Sequence, residues 1–441
     1  MQQPADCLIF ARWIITIDPS QPVLSEHALA IQGDRISAIL PASEARSLEA
    51  KKVIELPDHA LMPGLINTHG HAAMSLFRGL ADDLPLDTWL NEHIWPAEGQ
   101  WVNEDFVRDG VELAMAEMIR SGTTTFSDMY FFPNIAAKTI SKAGMRAQLA
   151  FPVFEFPSNW GQNPEDYIHK GLQVHDDNKH NPLITVAFGP HAPYTVADPT
   201  MDKIATLAAE LHGGEINIHI HLHETDFEVE QSVQEHGMRP IQRLAERGLL
   251  GPRTQCVHLV SLNDEDIRTL ADHNCHAVHC PESNMKLASG FSPVHKMLDA
   301  GINVALGTDG AASNNTLNLF SEMRTAALLA KGLSGDASAL PDSLALQMAT
   351  LNGARAMGLD AELGSLETGK LADLIAVDLS AIEQQPVYEP ISQLVYTQAG
   401  SAVTHSWING RLVMDNRRLT TLNIDDIRER AQSWRNQIAK V

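Results

Sequence analysis

Three stretches of the chain carry residue types that could hold a metal ion and put it to use. Asn67-Thr68-His69-Gly70-His71 sets two histidines two apart, directly after the apolar run Pro63-Gly64-Leu65-Ile66. Side chains on an extended strand alternate with period two, so His69 and His71 leave the same face and can close on one ion. Gly70 keeps the backbone between them uncluttered. In Ile216-Asn217-Ile218-His219-Ile220-His221-Leu222-His223-Glu224 the even positions up to Leu222 are apolar and the odd ones polar. His219, His221 and His223 share one phase, so spacing alone does not name a ligand among them. Gly307-Thr308-Asp309-Gly310 ends another run in a carboxylate, either a cap for the next helix or a hard oxygen ligand facing the histidines. Three imidazoles and one carboxylate, with a position open to water, is the donor set of a catalytic rather than a structural metal.

Such residues need elements that bring them together. Eight short apolar runs alternate with helical or loop stretches: Gly64 to His69, Thr123 to Asp128, Arg146 to Phe151, Ile184 to Gly189, Ile216 to His221, Thr254 to His258, Cys275 to His279 and Asn303 to Thr308. Strands alternating with helices predict parallel βαβ units, and eight of them close a (β/α)8 barrel, a TIM-type α/β fold. Seven of the eight runs end in, or within about three residues of, a His or Asp: His69 and His71, Asp128, His191, His221, His258, His279 and Asp309. Barrel enzymes assemble their chemistry at the carboxyl ends of their strands. Asp105 to Arg120 and Asp202 to His212 read as helices, stopped by Gly122 and Gly213-Gly214. Both ends of the chain read as β, with turn signals at Gly33-Asp34 and Asn409-Gly410. The expected organisation is a small composite β-sandwich from residues 1–59 and 368–441, around a catalytic barrel over residues 60–367.

Composition narrows the partners. The 441 residues are 44% hydrophobic, enough to bury a sizeable core. A formal charge of −23, from 32 Lys and Arg against 55 Asp and Glu, argues against nucleic acid and anionic membrane surfaces. No run approaches the ~20 apolar residues of a membrane span, and the first twenty residues lack the pattern of a secretion signal. Cys7, Cys256, Cys275 and Cys280 form no C-x-x-C pair and read as buried thiols. These features point to a cytoplasmic protein with a small-molecule substrate; a homo-oligomer is compatible with them. A non-enzymatic, His-rich metal-binding protein would carry clustered histidines, not one per strand end.

The H-x-H after the first run, His221-Leu222-His223-Glu224-Thr225, His279-Cys280-Pro281-Glu282-Ser283-Asn284 and Gly307-Thr308-Asp309-Gly310-Ala311-Ala312-Ser313-Asn314-Asn315 together resemble the amidohydrolase superfamily. Within it they look like the 5′-methylthioadenosine/S-adenosylhomocysteine deaminases, a likeness that extends to Gly364-Ser365-Leu366-Glu367-Thr368-Gly369-Lys370-Leu371-Ala372-Asp373-Leu374. The resemblance implies one divalent metal per chain, zinc first and Fe2+ or Mn2+ as alternatives, on His69, His71, His221 and Asp309. It implies catalytic roles for Glu224 as proton carrier, His258 as holder of the attacking water and Asp309 as acceptor of its proton. Trp89 and Glu98 would contact the nucleoside, Glu98 through the ribose hydroxyls, and His191, Glu224 and Ser313 the purine. The implied reaction is hydrolytic deamination of adenine in 5′-methylthioadenosine by a metal-activated water, with S-adenosylhomocysteine and adenosine as further candidate substrates. Deamination or dechlorination of another N-heterocycle, guanine or a triazine, is the alternative. Ile184 to Gly189 offers no lysine to bridge two metals.

Relatives that take S-adenosylhomocysteine place arginines beyond the third strand. Here Phe151 to Gln173 has no Arg and one Lys, Lys170, but contains Phe154, Phe156, Pro157 and Trp160. An apolar wall suits a methylthio group, unless Arg78 or Arg239 reaches in from elsewhere. Asp128, His219, His223 and His279 receive no role from the sequence.

Overall fold

The apolar runs at the two ends of the chain enter one sheet, and those between them close a barrel. The computed structural model describes residues 4–211 and 216–439. In chain order its strands are β1 (Ala5–Ile15), β2 (Val23–Gln32), β3 (Arg35–Pro41) and β4 (Ala50–Pro63). The barrel strands follow: β5 (Leu65–Asn67), β6 (Thr123–Asp128), β7 (Arg146–Val153), β8 (Ile184–Pro190), β9 (Ile218–Leu222), β10 (Thr254–His258), β11 (His276–His279) and β12 (Asn303–Leu306). Last come β13 (Leu374–Asp378), β14 (Val403–Ile408), β15 (Arg411–Asp415) and β16 (Arg418–Leu419).

β5 to β12 pair in parallel, each with its chain neighbour. The ring closes between the first and last strands. Thr68 donates to the Leu306 carbonyl through both its amide (3.0 Å) and its hydroxyl (2.7 Å), and the Asp309 amide donates to the His69 carbonyl (3.0 Å). The seam therefore runs between the H-x-H motif and the acidic motif. Gly307 is required there, because a Cβ on it would lie 2.8 Å from His69 Cβ.

The terminal sheet has the order β16-β15-β14-β13-β4-β1-β2-β3. β4 pairs in parallel with β1 and antiparallel with β13, so the two ends of the chain are stitched at one strand. Alternation along β1 sends Cys7, Ile9 and Ala11 into a core with Leu29, Leu61, Leu374 and Trp407, the irregularity between Ala11 and Trp13 brings Ile14 to the same core, and Leu8 and Phe10 pack on Ala28, Ala30 and Ala45 on the other face. The sheet folds over on itself. The β2–β3 turn meets the approach to β13, where the Ala372 amide donates to Asp34 (2.8 Å) and the Ile36 amide to Lys370 (2.9 Å), although three strands separate them in the sheet order. Asn409 and Gly410 both have positive φ (52° and 73°), as a two-residue hairpin requires.

The helix read at Asp105 to Arg120 spans Glu104–Arg120, capped by the Asn103 side chain on the Phe106 amide, and Gly122 follows it with φ 93°. The helix read from Asp202 begins earlier, at Asp198, where Pro199 occupies the first turn and needs no amide partner. Its expected end, His212 with Gly213-Gly214, lies outside the described residues. Among the described residues no helix is long and apolar enough to cross a membrane.

A buried ion pair fastens the sheet to the barrel at the end away from the strand carboxyl termini. Arg146, first in β7, donates to Asp373 through Nε (2.9 Å) and Nη2 (3.3 Å), and Asp373 also accepts the Asn409 amide (2.6 Å). Both side chains are almost wholly buried, at 6% and 3% exposure. Removing one partner of such a pair strands the other charge at a cost of about 3–5 kcal/mol. Arg146→Met should lower the urea midpoint accordingly, and Asp373→Asn added to it should recover part of the loss. An unshifted midpoint for Arg146→Met would show that the pair contributes nothing.

Candidate active site

The chain leaves β5 and β12 on opposite sides of the seam, and the side chains that follow them meet. His69 Nε2 and His71 Nε2 each lie 3.3 Å from Asp309 Oδ1. Asp309 has a left-handed backbone (φ 61°), a strained conformation for a non-glycine residue that turns its carboxylate inward. Its Oδ1 accepts the Gly310 amide (2.7 Å), and its Oδ2 accepts the hydroxyls of Ser283 (2.7 Å) and Ser313 (2.9 Å). Burial would raise the Asp309 pKa, but the two imidazoles beside it hold the carboxyl well below its usual range.

The histidines are oriented from behind. His71 Nδ1 lies 2.6 Å from the Met129 carbonyl and His221 Nδ1 2.7 Å from the His191 carbonyl, so in both rings Nδ1 carries a proton and Nε2 faces inward, where it offers a lone pair when the ring is neutral. His69 Nδ1 lies 2.8 Å from His219 Nε2, and His219 Nδ1 lies 2.6 Å from Gln255 Oε1. His69 Nε2 is buried with no hydrogen bond to satisfy it. Two overlapping donor groups result, His69-His71-Asp309 and His69-His221-His258, with the ligand atoms of each within 4.8 Å of one another. Burial drives His69 and His221 well below the ordinary imidazole pKa, and so toward the neutral form a metal needs. Burial acts on His71 in the same sense, but Asp309 outweighs it and lifts that ring to about 9.

These groups floor a cleft of about 690 Å³ whose walls include Trp89, Glu98 and His191. Trp89 opens a one-turn π-helix, Trp89–Ile94, in the segment after the seam. Glu98 accepts the Tyr130 hydroxyl (2.7 Å), and burial raises its carboxyl to about 7. Burial also raises Glu224, whose Oε2 stands 3.7 Å from His258 Nε2. His191 Nδ1 lies 2.9 Å from Thr195 Oγ1, and burial pushes its pKa down to about 3, leaving it neutral. Ser313, expected at the purine, lies behind Asp309 and away from the cleft wall. Of the expected apolar wall only Phe154 faces the cleft, joined there by Phe131; Phe156 and Pro157 are exposed, and Trp160 packs on Tyr167. Arg78 is engaged by Glu117 and Arg239 by Asp266, and among the described residues no Lys or Arg lines the cleft.

Several side chains left without a role support others. Asp128 accepts the Ala72 amide (2.7 Å) and anchors the turn after His71, with burial raising its pKa to about 6. His223 leaves the phase of His219 and His221 because its φ is 55°; its ring bridges the Ser261 carbonyl (2.9 Å) and the Ile241 amide (3.1 Å). Glu228 accepts the amides of His223 (2.9 Å) and Glu224 (2.8 Å), fixing the backbone of Glu224. Sequence reasoning missed it, although Thr225-Asp226-Phe227-Glu228 has the spacing of a capping box. Gln255 also had a signal, since it sits opposite His219 in the β9–β10 register. Ser283 had none.

Comparison with known proteins decides the family, for the amidohydrolase family model matches residues 60–413. The chain belongs to the amidohydrolase family. Among amidohydrolases, a protein of Teredinibacter turnerae named 5-methylthioadenosine/S-adenosylhomocysteine deaminase is 53% identical over 98% of both chains. One of the same name from Saccharophagus degradans is 54% identical over 99% of this chain and 97% of its own. The crystal structure of an adenosine deaminase from Xanthomonas campestris with bound zinc is 43% identical, covers all of both chains and superimposes with a TM-score of 0.98. The fold extends to atrazine chlorohydrolase of Arthrobacter aurescens, at 23% identity and a TM-score of 0.90.

Family, zinc-bound relative and donor set agree on a divalent metal in this amidohydrolase. β8 contains no lysine to bridge a second ion. Elemental analysis of the purified protein should return one ion per chain, and two would contradict this reading. A ligand held only by the native state stabilises it, so chelation should lower Tm and restored metal should recover it.

Proposed function

We propose that the protein deaminates the adenine ring of 5′-methylthioadenosine hydrolytically, releasing ammonia and the inosine-type nucleoside. The observation that carries this is near-full-length identity of 53–54% to proteins named for that activity, over a cleft that joins a His/Asp cluster to a half-buried Glu98. His69, His71, His221 and Asp309 would hold the cation, most readily zinc, given nitrogen-rich donors and the zinc-bound relative. Bound there, it would supply the Lewis acidity that makes water nucleophilic at neutral pH.

The chain's own groups do the rest. His258 Nε2 accepts a hydrogen bond from the attacking water and orients it toward C6. The Asp309 carboxylate takes the water's proton and hands it to the departing amino group, which leaves as ammonia while the C6 hydroxyl proton returns to Glu224. C6 becomes electrophilic enough only if N1 gains a proton as the bond forms, and Glu224, whose carboxyl burial shifts toward the protonated form, delivers it. Glu98 binds the ribose hydroxyls, Trp89 covers the nucleoside, and His191, neutral, contacts the purine. Ser313, together with Ser283, orients Asp309 and does not touch the base. Phe131 and Phe154 receive the 5′-methylthio group, whereas the carboxylate of S-adenosylhomocysteine would find no cation in the cleft wall.

The ultraviolet change from adenine to hypoxanthine measures the reaction. kcat/KM should be highest for 5′-methylthioadenosine among that compound, S-adenosylhomocysteine and adenosine, and a ratio favouring S-adenosylhomocysteine would overturn the specificity reading. Glu224→Gln should lower kcat by about 10²–10⁴ with the metal still bound, as loss of a general acid does. Unchanged turnover in that variant would remove Glu224 from the mechanism.

A further inference from the structure

Among the four clustered imidazoles, His258 alone is backed by a side-chain amide: its Nδ1 lies 2.9 Å from Asn284 Oδ1, in the helix Pro281–Lys286 after β11. A backbone carbonyl can only accept, so it dictates the tautomer of the ring it touches. An amide has a donor end as well, and what faces its other end decides which one the ring meets. Asn284 is 2% exposed, and its Nδ2 has no partner. It lines a small pocket that it shares with His279 and Ser292, whose Nδ1 and Oγ are also buried and unpartnered. Burial keeps the His279 ring neutral, at a pKa of about 3, so ring nitrogen and hydroxyl offer lone pairs to a donor. The donor end of the amide thus suits the cavity, and the carbonyl end is left for His258. The backbone agrees, since His258 and Leu259 both carry positive φ (77° and 49°), strain that aims the ring at the cleft.

We propose that Asn284 is a positioning residue, whose carbonyl end locks His258 in the Nδ1–H tautomer so that Nε2 presents a lone pair to the catalytic pocket. The cavity lined by His279 and Ser292 receives the NH₂ end of the amide. The catalytic consequence rests on the reading of His258 as the group that orients the attacking water; the tautomer does not.

The test uses metal-free full-length protein labelled with ¹⁵N-histidine, with His258 assigned by difference from His258→Gln. Long-range ¹H–¹⁵N spectra should show the proton on Nδ1 in the wild type and in Asn284→Asp, and a shift toward Nε2 in Asn284→Leu. In the metal-loaded enzyme Asn284→Leu should lower kcat by about 10- to 100-fold, as loss of an outer-shell partner does, while KM changes less than about threefold and metal content stays at the wild-type level. A proton on Nε2 in the wild type, or an unchanged tautomer in Asn284→Leu, overturns the proposal. If Asn284→Leu does not fold, the wild-type spectrum still decides. If no nucleoside is turned over, the proposed function fails and the tautomer measurement stands on its own.

Discussion

Imidazole lone pairs can converge on one point only if each ring keeps its proton on the far side. That constraint organises the site. The His71 proton is held by the Met129 carbonyl beyond β6 and the His221 proton by the His191 carbonyl beyond β8, while His69 leans on His219 of β9. Each tether comes from a strand other than the one that carries the ring it holds. The electronics of the donor cluster are therefore a property of the closed barrel. The seam adds the last requirement, because the hydrogen bonds that join Thr68 to Leu306 and Asp309 to His69 also set the Asp309 carboxylate beside the histidines.

The electrostatics suit a neutral substrate and a bound cation. Burial raises the carboxyls of Glu98 and Glu224, and no Lys or Arg among the described residues enters the cleft to oppose that shift. Asp309 behaves in the opposite sense because two imidazoles face it. Two carboxyls shifted in opposite directions within one pocket are the separation that lets a site take a proton at one place and give it at another.

Much of this was legible in the sequence, for a definite reason. Period-two alternation and the turn residues mark strands locally, so β6 and β10 appear with the bounds read from Thr123 to Asp128 and Thr254 to His258. The phase of polar residues at strand ends placed His69, His71, His221 and Asp309 near one another before any coordinates did. What stayed hidden depends on distant pieces of chain. Backbone carbonyls that hold rings leave no mark in residue types. The left-handed turn at His223, which takes it out of phase with its neighbours, is not written in the alternation. Ser313 looked like a substrate contact, yet the short helix Ala311–Asn314 winds it behind Asp309. The apolar segment after β7 was read as one wall, but only Phe154 of it turns inward.

The stitching of both chain ends at β4 has a consequence for how the protein is made. β4 ends at Pro63 and its partner β13 begins at Leu374. At translation rates of ~5–20 residues per second the nascent chain keeps one side of β4 unpaired for roughly 15–60 s while the whole barrel is synthesised. Such an edge, His59 to Pro63, is a template for wrong pairing until β13 arrives.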